Sequence, residues 1–356
     1  MKPRLDLTEI FQNRQGEKHL VILHEFPDPD AISSAYAHWL ISAAHKIDVD
    51  IVYKGEISHP QNIALTKLVG VNMCEYKPNT DLSRYQAAVF IDNQGTTVEE
   101  IVSALENAQV PVLLVVDHHQ PQDRLVPLYN EIAQTGSTST IYANMLEQGV
   151  IEFDSALKEH SMAATALMHG IMSDTEGFVR ATSQDFQAAA FLSRFRDAEM
   201  LSQILRQARR KQTMDIIHRA LGNRVIIENY SIAGISYIRS EDRDAIPQAA
   251  DFLITEENVH TAIVFGIMSD GDKQENLVGS MRTSKVTLDP DEFLKDVFGK
   301  SENGRYYGGG RPLAGGFVIP IGFLSGGPNH DHQQRKWEVF DEQVKDKIFA
   351  KIGVER

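Results

Sequence analysis

Short apolar runs alternate with helical patterns along the first half of this 356-residue chain, and this alternation constrains the fold most strongly. The runs Leu20–Leu23, Ala87–Ile91 and Val112–Val116 are near-continuous, which is typical of strands buried on both faces of a parallel sheet. Helical periodicity follows them, as in crossover connections between parallel strands. The pattern predicts an α/β fold in which helices flank a mainly parallel sheet.

The pattern changes in the second half of the chain. Residues 183–221 have helical periodicity and are rich in arginine, and shorter strands of mixed order follow them. The sequence therefore predicts an N-terminal domain over residues 1–190, a helical connector over 191–222, and a smaller C-terminal α/β domain with a mixed sheet over 223–356. A glycine-rich segment, Tyr307–Phe317, lies in this last domain.

Charge and cysteine content exclude several classes of protein. The chain has 35 Lys+Arg against 49 Asp+Glu, a net charge of −14, which disfavours a protein that grips long duplex nucleic acid. Cys74 is the sole cysteine, so an internal disulfide and a thiolate zinc cage are excluded. The longest apolar run, Val110–Val116, is too short to predict a membrane span. The polar first residues of the chain do not predict a secretion signal. We expect a cytoplasmic protein without a membrane partner.

Residues that commonly bind metals follow three of the apolar runs directly. They are His24, Asp28 and Asp30 after the first run, Asp92 after the second, and Asp117, His118 and His119 after the third. Sites in open α/β sheets form at the carboxyl ends of the strands, so these side chains should converge. Asp174, which follows a predicted helix and precedes a turn at Gly177, could reach the same place.

So many carboxylates in one crevice require cations to offset their charge. Carboxylates together with imidazoles suit Mn²⁺ or Mg²⁺ better than a thiolate-held zinc. Two ions about 3.5–4 Å apart, bridged by one aspartate, would use the whole set and favour in-line attack on a phosphoester. Any one of these aspartates alone is more often a helix cap, but their common position at strand ends favours a metal site.

The same residues resemble a known family. His24-x-x-x-Asp28-x-Asp30, Asp92 at a strand end, Asp117-His118-His119, and Asp174 in Ser-Asp-Thr-Glu-Gly-Phe resemble, in order, the four motifs of the DHH phosphoesterases. The segment Gly308-Gly-Gly-Arg-Pro-Leu-Ala-Gly-Gly316 resembles the signature of the DHHA1 domain. The resemblance covers about residues 18 to 320. The pairing of the two domains is similar to the nano-RNase (bifunctional oligoribonuclease) and cyclic-dinucleotide phosphodiesterase branch.

The resemblance implies a role for each residue of the first domain. His24 and Asp28 would hold one Mn²⁺, Asp30, His118 and Asp174 would hold a second, and Asp92 would bridge the two. Asp117 would orient an imidazole, and His119 would face the scissile phosphate. Mg²⁺ would be a substitute for Mn²⁺.

The resemblance places substrate contacts in the second domain. Gly308, Gly309 and Gly310 would let a phosphate approach the backbone, and Arg282 would contact the nucleotide. Arg311 stands where the family normally has histidine, and it could favour a 5′-terminal phosphate or bind a guanine edge. Pro29, where glycine is frequent, would stiffen the first motif.

The resemblance implies a phosphodiesterase that cleaves short nucleotides between its two domains and releases mononucleotides. Linear 5′-phosphorylated dinucleotides such as pGpG or pApA, and other nanoRNA, are the leading substrates. Alternatives are a cyclic-dinucleotide phosphodiesterase, a 3′-phosphoadenosine 5′-phosphate phosphatase, a pyrophosphatase, and, outside enzymes, a nucleotide-binding sensor. The sequence leaves open the base preference, the metal used and whether the chain is a monomer or a homodimer.

Overall fold

The computed structural model of the protein describes residues 7–55, 57, 60–70, 72–206, 210–269, 274–326 and 330–354. The chain divides into two compact units, Met1–Ala208 and Arg209–Arg356. This division falls inside the stretch 191–222, for which the sequence predicts a helical connector. Each unit has hydrophobic cores of its own.

The sheet of the first unit is parallel throughout. Its strands are β1 (Lys18–Glu25), β2 (Asp48–Lys54), β3 (Met73–Glu75), β4 (Ala87–Ile91), β5 (Val112–Asp117) and β6 (Tyr129–Ile132). They are arranged in the order β3-β2-β1-β4-β5-β6, and every neighbouring pair is parallel. Strands β1, β4 and β5 are therefore neighbours in the middle of the sheet.

Both faces of this sheet are covered. In β1, Val21 and Leu23 pack into one core, whereas Leu20 and Ile22 pack into the other. All residues of β4 are buried. This alternation between two cores explains why the central strands are continuous apolar runs, as the sequence predicts.

Eight helices of the first unit lie within the described residues. They are α1 (Leu7–Gln12), α2 (Pro29–Ala44), α3 (Pro60–Val69), α4 (Glu99–Asn107), α5 (Thr138–Glu147), α6 (Lys158–Asp174), α7 (Ser183–Leu192) and α8 (Ala198–Leu205). Helix α2 packs against α5 and α6 and is buried along most of its length. Asp28 caps it by accepting a 3.0 Å hydrogen bond from the Ala31 N–H, and Pro29 occupies its first turn, where no donor is lost.

The sequence pattern missed or merged some elements of this unit. Strands β3 and β6 were not predicted, because they are short edge strands without a continuous apolar run. The helical pattern over residues 183–221 is not one helix. It contains α7, α8 and the start of a helix of the second unit, and Asp197 begins α8 by capping the N–H groups of Glu199 and Met200.

The second unit is built on a mixed sheet. Its strands are β7 (Arg224–Ile227), β8 (Tyr230–Arg239), β9 (Thr261–Ser269), β10 (Glu275–Thr283), β11 (Gly308–Arg311) and β12 (Ala314–Pro320). The order is β11-β12-β10-β9-β8-β7, and of these pairs only β8 and β9 are parallel. The glycine-rich segment forms the antiparallel hairpin β11–β12.

Helices cover both faces of the second sheet. They are α9 (Lys211–Asn223), α10 (Ala245–Leu253), α11 (Pro290–Phe298) and α12 (His330–Ile352). One core combines sheet residues such as Phe265 with Leu294 of α11 and Trp337 of α12. The other combines Val264 with α9 and α10. The α/β class predicted from the sequence, with a parallel and a mixed sheet, is confirmed. Within the described residues, no helix combines the length and apolar character that crossing a membrane requires.

Candidate metal centre

The carboxyl ends of β1, β4 and β5 bring the predicted ligands together. His24 lies near the end of β1, Asp92 directly follows β4, and Asp117 ends β5. Because these three strands are neighbours and parallel, their ends meet at one edge of the sheet, where α/β sites form. The convergence expected from the sequence is present in the structure.

Asp92 lies at the centre of this group. Its backbone has a φ of +57°, a left-handed conformation that few residues other than glycine adopt, while its N–H is held by the Val116 carbonyl. One carboxylate oxygen, Oδ2, lies 3.5 Å from His24 Nε2. The other, Oδ1, lies 3.6 Å from His118 Nε2. A carboxylate with its two oxygens facing different imidazoles is suited to bridge two cations.

Each of the two imidazoles that face Asp92 also lies near a second carboxylate. His118 Nε2 lies 3.3 Å from Asp174 Oδ2 at the end of α6, and His24 Nε2 lies 3.8 Å from Asp28 Oδ1. Within each of three sets, the candidate ligand atoms lie within 4.8 Å of one another. The sets are His24, Asp28 and Asp92; Asp30, His118 and Asp174; and Asp92, His118 and His119.

The carboxylates in this cluster carry more negative charge than their surroundings can stabilise. Burial raises the pKa of Asp30 well above its ordinary value, and the neighbouring carboxylates of Asp92 and Asp174 raise it further. Burial raises the pKa of Asp92 as well, although His24 counteracts it. Two buried carboxyl groups that resist ionisation together are the expected result of like charges in a dry site.

The imidazoles show the opposite response. Burial lowers the pKa of His24, but its carboxylate neighbours Asp28 and Asp92 outweigh burial and bring the pKa to about 11. The same competition brings the pKa of His118 to about 10, with Asp174 as the strongest carboxylate partner. The cluster thus demands positive charge, which protons on the imidazoles supply when no cation does.

These residues fit a divalent cation. The donor set of carboxylate oxygens and imidazole nitrogens suits Mn²⁺ or a similar ion. The Nε2 atom of His118 is buried and has no hydrogen-bond partner among the described residues, as expected of a nitrogen that is free to bind a metal. Its Nδ1 atom lies 3.3 Å from the Thr135 carbonyl, and such a contact fixes the ring as in most metal-binding histidines.

Asp117 and His119 form a pair beside the two clusters. The Nδ1 atom of His119 lies 2.7 Å from Asp117 Oδ1, and the His119 N–H donates to the same oxygen. Gln94 donates to the other oxygen at 2.7 Å. Asp117 is buried, whereas the His119 side chain is 54% exposed, so the carboxylate holds an imidazole that a substrate can reach. The hydrogen bond with Asp117 raises the pKa of His119.

Sequence reasoning missed the first turn of α5. The backbone N–H groups of Thr138 and Ser139 donate to the two oxygens of Asp30, and the Thr138 hydroxyl donates to Asp92. The signal available in the sequence was the Ser-Thr-Ser-Thr run at a predicted helix start, since helix N-termini bind anions. Its proximity to Asp30, more than one hundred residues away in the chain, is decided by the tertiary fold.

In the second unit, the predicted substrate-contacting residues lie on β10 and β11. Arg282 Nε donates to Asp251 at 2.6 Å, and Arg282 Nη1 donates to Ser280 Oγ at 2.9 Å. The Gly310 N–H donates to Asp291 Oδ1 at 3.1 Å, whereas Arg311 is exposed. The structure therefore places a carboxylate next to each of Arg282 and Gly310.

The glycine run also has a packing role. A Cβ atom at Gly308 would lie 2.9 Å from Leu294 Cβ, and one at Gly310 would lie 2.6 Å from the backbone oxygen of Ala314. At Gly309 the nearest atom would be Asp291 Oδ1, a side-chain atom, at 3.1 Å. Gly308 therefore allows the hairpin β11–β12 to lie close to α11, and Gly310 allows β11 to lie close to β12.

Comparison with known proteins agrees with the geometry of the first unit. Residues 18–171 match the family model described as "DHH family, N-terminal domain". The chain therefore contains a DHH family domain, which confirms the resemblance inferred from the first three motifs, since these lie within the matched residues.

Two relatives and one solved structure illustrate the similarity. The chain is 32% identical over 337 residues to an uncharacterised protein of Methanocaldococcus jannaschii, covering 94% of this chain and 64% of that protein. It is 30% identical over 161 residues to a probable manganese-dependent inorganic pyrophosphatase of Streptococcus pyogenes, covering 44% of this chain and 48% of that protein. The chain thus spans less than two thirds of the length of these curated relatives.

The solved structure is that of an exopolyphosphatase-related protein from Bacteroides fragilis. It resembles this protein with a TM-score of 0.66 at 15% identity, covering 96% of this chain and 97% of that chain. At this identity the likeness concerns the fold alone.

Proposed function

We propose that this protein is a divalent-metal-dependent phosphodiesterase that hydrolyses short 5′-phosphorylated dinucleotides, such as pGpG or pApA, to mononucleotides. The observation that carries the proposal is the position of Asp92, whose two oxygens face His24 on one side and His118 on the other. A shared carboxylate between two sets of ligands is the arrangement that two-metal phosphoryl chemistry needs.

The residues would divide between two cations. His24 and Asp28 would hold one cation, Asp30, His118 and Asp174 would hold the other, and Asp92 would contact both. Mn²⁺ is proposed because the ligands mix imidazole and carboxylate, and because a relative in Streptococcus pyogenes is named as manganese-dependent. When bound, the cations supply an activated water and neutralise the phosphate oxygens.

His119 would act on the phosphate directly. Because Asp117 accepts the Nδ1 proton and raises the pKa of the ring, His119 can carry a proton at Nε2 and donate a hydrogen bond to a phosphate oxygen. In the reaction, water oxygen bonds to phosphorus, the bond from phosphorus to the 3′-oxygen breaks, and that oxygen takes up a proton. A 5′-phosphorylated dinucleotide then yields two 5′-mononucleotides.

The second unit supports a nucleotide substrate. A concave surface of about 790 Å³ lies on it, and its lining includes Gly308, Gly309, Arg243, Arg305 and Tyr306. This volume suits one nucleotide, and the arginines with the tyrosine suit its phosphate and base.

Arg282 and Arg311 complete the proposed substrate contacts. Arg282 lies on β10 beside Ser280, which also lines the concave surface. Arg311 ends β11 and is exposed, so it can take a terminal phosphate or a guanine edge. The net charge of −14 supports a short substrate held by a few arginines rather than a long polymer.

One alternative activity has an observation in its favour. The identity with a probable inorganic pyrophosphatase covers 44% of this chain, so pyrophosphate hydrolysis is a second candidate. Pyrophosphate has no base and no need for the concave surface of the second unit. A variant of that surface therefore distinguishes the two activities.

The test is a comparison of kcat/KM, with Mn²⁺ present, for pGpG, pApA, cyclic dinucleotides, 3′-phosphoadenosine 5′-phosphate and pyrophosphate. We expect the linear dinucleotides to be preferred, and Asp92→Asn to lower their kcat about a hundredfold or more. Asp123→Asn, at an exposed position outside the cluster, is the matched control and should leave kcat unchanged. Arg305→Ala should raise KM about tenfold for dinucleotides and leave KM for pyrophosphate unchanged.

Three results would contradict the proposal. Binding of dinucleotides without turnover would identify a nucleotide sensor. A preference for pyrophosphate that Arg305→Ala does not alter would identify a pyrophosphatase. A preference for cyclic dinucleotides or for 3′-phosphoadenosine 5′-phosphate would retain the metal chemistry but reassign the substrate.

A further inference from the structure

The segment Thr135–Thr140, which leads into and begins α5, touches side chains of both proposed cation sites. The Thr138 and Ser139 N–H groups donate to Asp30 Oδ2 and Oδ1, each at 2.7 Å. Both oxygens of a fully buried carboxylate are therefore held by the positive end of a helix. The orientation of Asp30 depends on where this segment lies.

The same segment contacts Asp92 and His118. The Thr138 hydroxyl donates to Asp92 Oδ1 at 2.8 Å, and the Thr135 carbonyl lies 3.3 Å from His118 Nδ1. A shift of the Thr135–Thr140 segment would thus disturb three proposed ligands at once. Something must fix the segment, since it is a turn followed by one end of a helix.

Asp185 of α7 fixes it. The Asp185 carboxylate is fully buried, and its Oδ1 accepts hydrogen bonds from the Gly136 N–H at 2.9 Å and the Thr140 hydroxyl at 2.6 Å. The Gly136 N–H also donates to Oδ2, at 3.1 Å. Its Oδ2 accepts from the N–H and hydroxyl of Thr182, at 2.7 and 2.8 Å. Among the described residues no cation pairs with it, so the carboxylate depends on these neutral donors.

The close packing at Gly136 leaves no room for a side chain. A Cβ atom there would lie 2.5 Å from Asp185 Oδ2 and 2.6 Å from Thr175 Cγ2. Thr175 directly follows Asp174, another proposed ligand. The Asp185 carboxylate and the residue after α6 therefore both pack directly against the backbone at Gly136.

We propose that Asp185 is a positioning residue for the metal centre. It acts on the proposed ligands through the Thr135–Thr140 segment, and this inference rests on the proposed two-cation site. A purely structural role is available, because Asp185 and Thr182 form the capping box of α7. That role uses Oδ2. The Oδ1 atom is directed at Gly136 and Thr140, outside α7, and those bonds connect Asp185 to the ligands.

The test is Mn²⁺ binding, measured by isothermal titration calorimetry on folded protein in the absence of substrate. Asp185→Asn keeps the size of the side chain but replaces one carboxylate oxygen with an NH₂ group. That group is a hydrogen-bond donor and would face the N–H and hydroxyl donors that now contact Asp185. We expect it to weaken Mn²⁺ binding about 10- to 100-fold, as is usual when a residue that orients metal ligands is changed. In the activity assay at saturating Mn²⁺, kcat should fall and KM should stay near the wild-type value.

Asp197→Asn is the matched control. Asp197 caps α8 through the N–H groups of Glu199 and Met200, and has no hydrogen bond to the Thr135–Thr140 segment. It undergoes the same chemical change in the same unit. Because Asp197 is exposed whereas Asp185 is fully buried, we expect Asp197→Asn to lower Tm less than Asp185→Asn does, and to leave the Kd for Mn²⁺ unchanged.

A milder pair of variants serves if Asp185→Asn does not fold. Thr140→Val removes the hydroxyl that donates to Asp185 Oδ1, and Thr140→Ser restores it. Weaker Mn²⁺ binding in the valine variant, with recovery in the serine variant, supports the proposal.

Two outcomes would overturn the proposal, and they are distinguishable. If wild type binds two Mn²⁺ ions and Asp185→Asn and Thr140→Val bind them equally well, the positioning role is wrong while the proposed function stands. If wild type binds no divalent cation, the proposed function fails and the positioning role fails with it.

Discussion

At the scale of single residues, position relative to the sheet decides what each histidine does. His24 and His118 lie at the carboxyl edge of the sheet among carboxylates, and their pKa values rise to about 11 and about 10. His38 lies in the core on α2, with Nδ1 3.0 Å from the hydroxyl of Tyr142. Burial, aided by His19, lowers the pKa of His38 to about 3. The same side chain is thus a candidate ligand in one place and a neutral core residue in another.

The low pKa of His38 predicts that stability depends on pH. The unfolded chain binds a proton near the ordinary histidine pKa of about 6.5, whereas the folded protein does so only near pH 3. The stabilisation is therefore present above pH 6.5 and is lost as the pH falls towards 3. Between pH 6.5 and 5 the free energy of unfolding should fall by about 2 kcal/mol from this residue alone.

Urea unfolding of wild type and His38→Gln at pH 7 and pH 5 measures this effect. The variant, which cannot take up a proton, should lose about 2 kcal/mol less than wild type between the two pH values. The exposed His260→Gln should behave as wild type does. Burial also lowers the pKa of His19, although a contact of 2.9 Å between its Nε2 atom and the Glu17 carboxylate opposes the shift. Part of the pH dependence of stability will therefore remain in His38→Gln. Parallel curves for wild type and His38→Gln would contradict the assignment.

At the scale of elements, the hairpin β11–β12 shows how one sequence pattern can serve two purposes. The family resemblance implies that the glycines of β11 let a phosphate approach the backbone. In the structure, Gly308 and Gly310 also let the hairpin lie against α11 and against its own second strand. Packing alone is a sufficient reason for glycine at Gly310, and this can be tested without any ligand.

Gly310→Ala should destabilise the second unit by about 1–3 kcal/mol, because its Cβ atom would lie 2.6 Å from a backbone oxygen that cannot move aside. Gly309→Ala, whose Cβ atom would meet only the side chain of Asp291 at 3.1 Å, should cost less than about 1 kcal/mol. Chemical unfolding followed by the fluorescence of the buried Trp337 gives both values. Equal losses for the two variants would show that the packing explanation is wrong.

At the scale of the whole molecule, the two units differ in what a cation should do to them. The proposed ligands all belong to the first unit, where buried carboxylates repel one another. A cation that binds the folded first unit stabilises it by about 2.7 kcal/mol at a concentration one hundred times its Kd. The second unit contains none of these ligands.

The two tryptophans report on the units separately, since Trp39 lies in the first unit and Trp337 in the second. In Trp337→Phe, Mn²⁺ should raise the thermal midpoint reported by Trp39 by about 5–10 °C, and EDTA should reverse the rise. In Trp39→Phe, the midpoint reported by Trp337 should move by less than about 2 °C. A shift confined to the Trp337 signal, or none in either variant, would count against a metal centre in the first unit.

The sequence by itself determined the class of fold and the candidate ligands. Apolar runs that end in aspartate and histidine can be recognised locally, because strand burial and strand-end chemistry both follow from neighbouring residues. The parallel direction of β1, β4 and β5 then follows from the alternation with helices, whereas their order in the sheet does not. The edge strands β3 and β6 escaped because they lack that local signal.

Only the tertiary structure decided how the ligands are held. The contact between α5 and Asp30 joins segments far apart in the chain, and no local pattern encodes it. The left-handed backbone of Asp92 is likewise not apparent from its neighbouring residues. The same is true of Asp185, which in the sequence is an ordinary helix-capping residue and in the structure faces Gly136. Ligand identity is a property of residue types, whereas ligand orientation depends on long-range packing and hydrogen bonds, which exist only once the chain has folded.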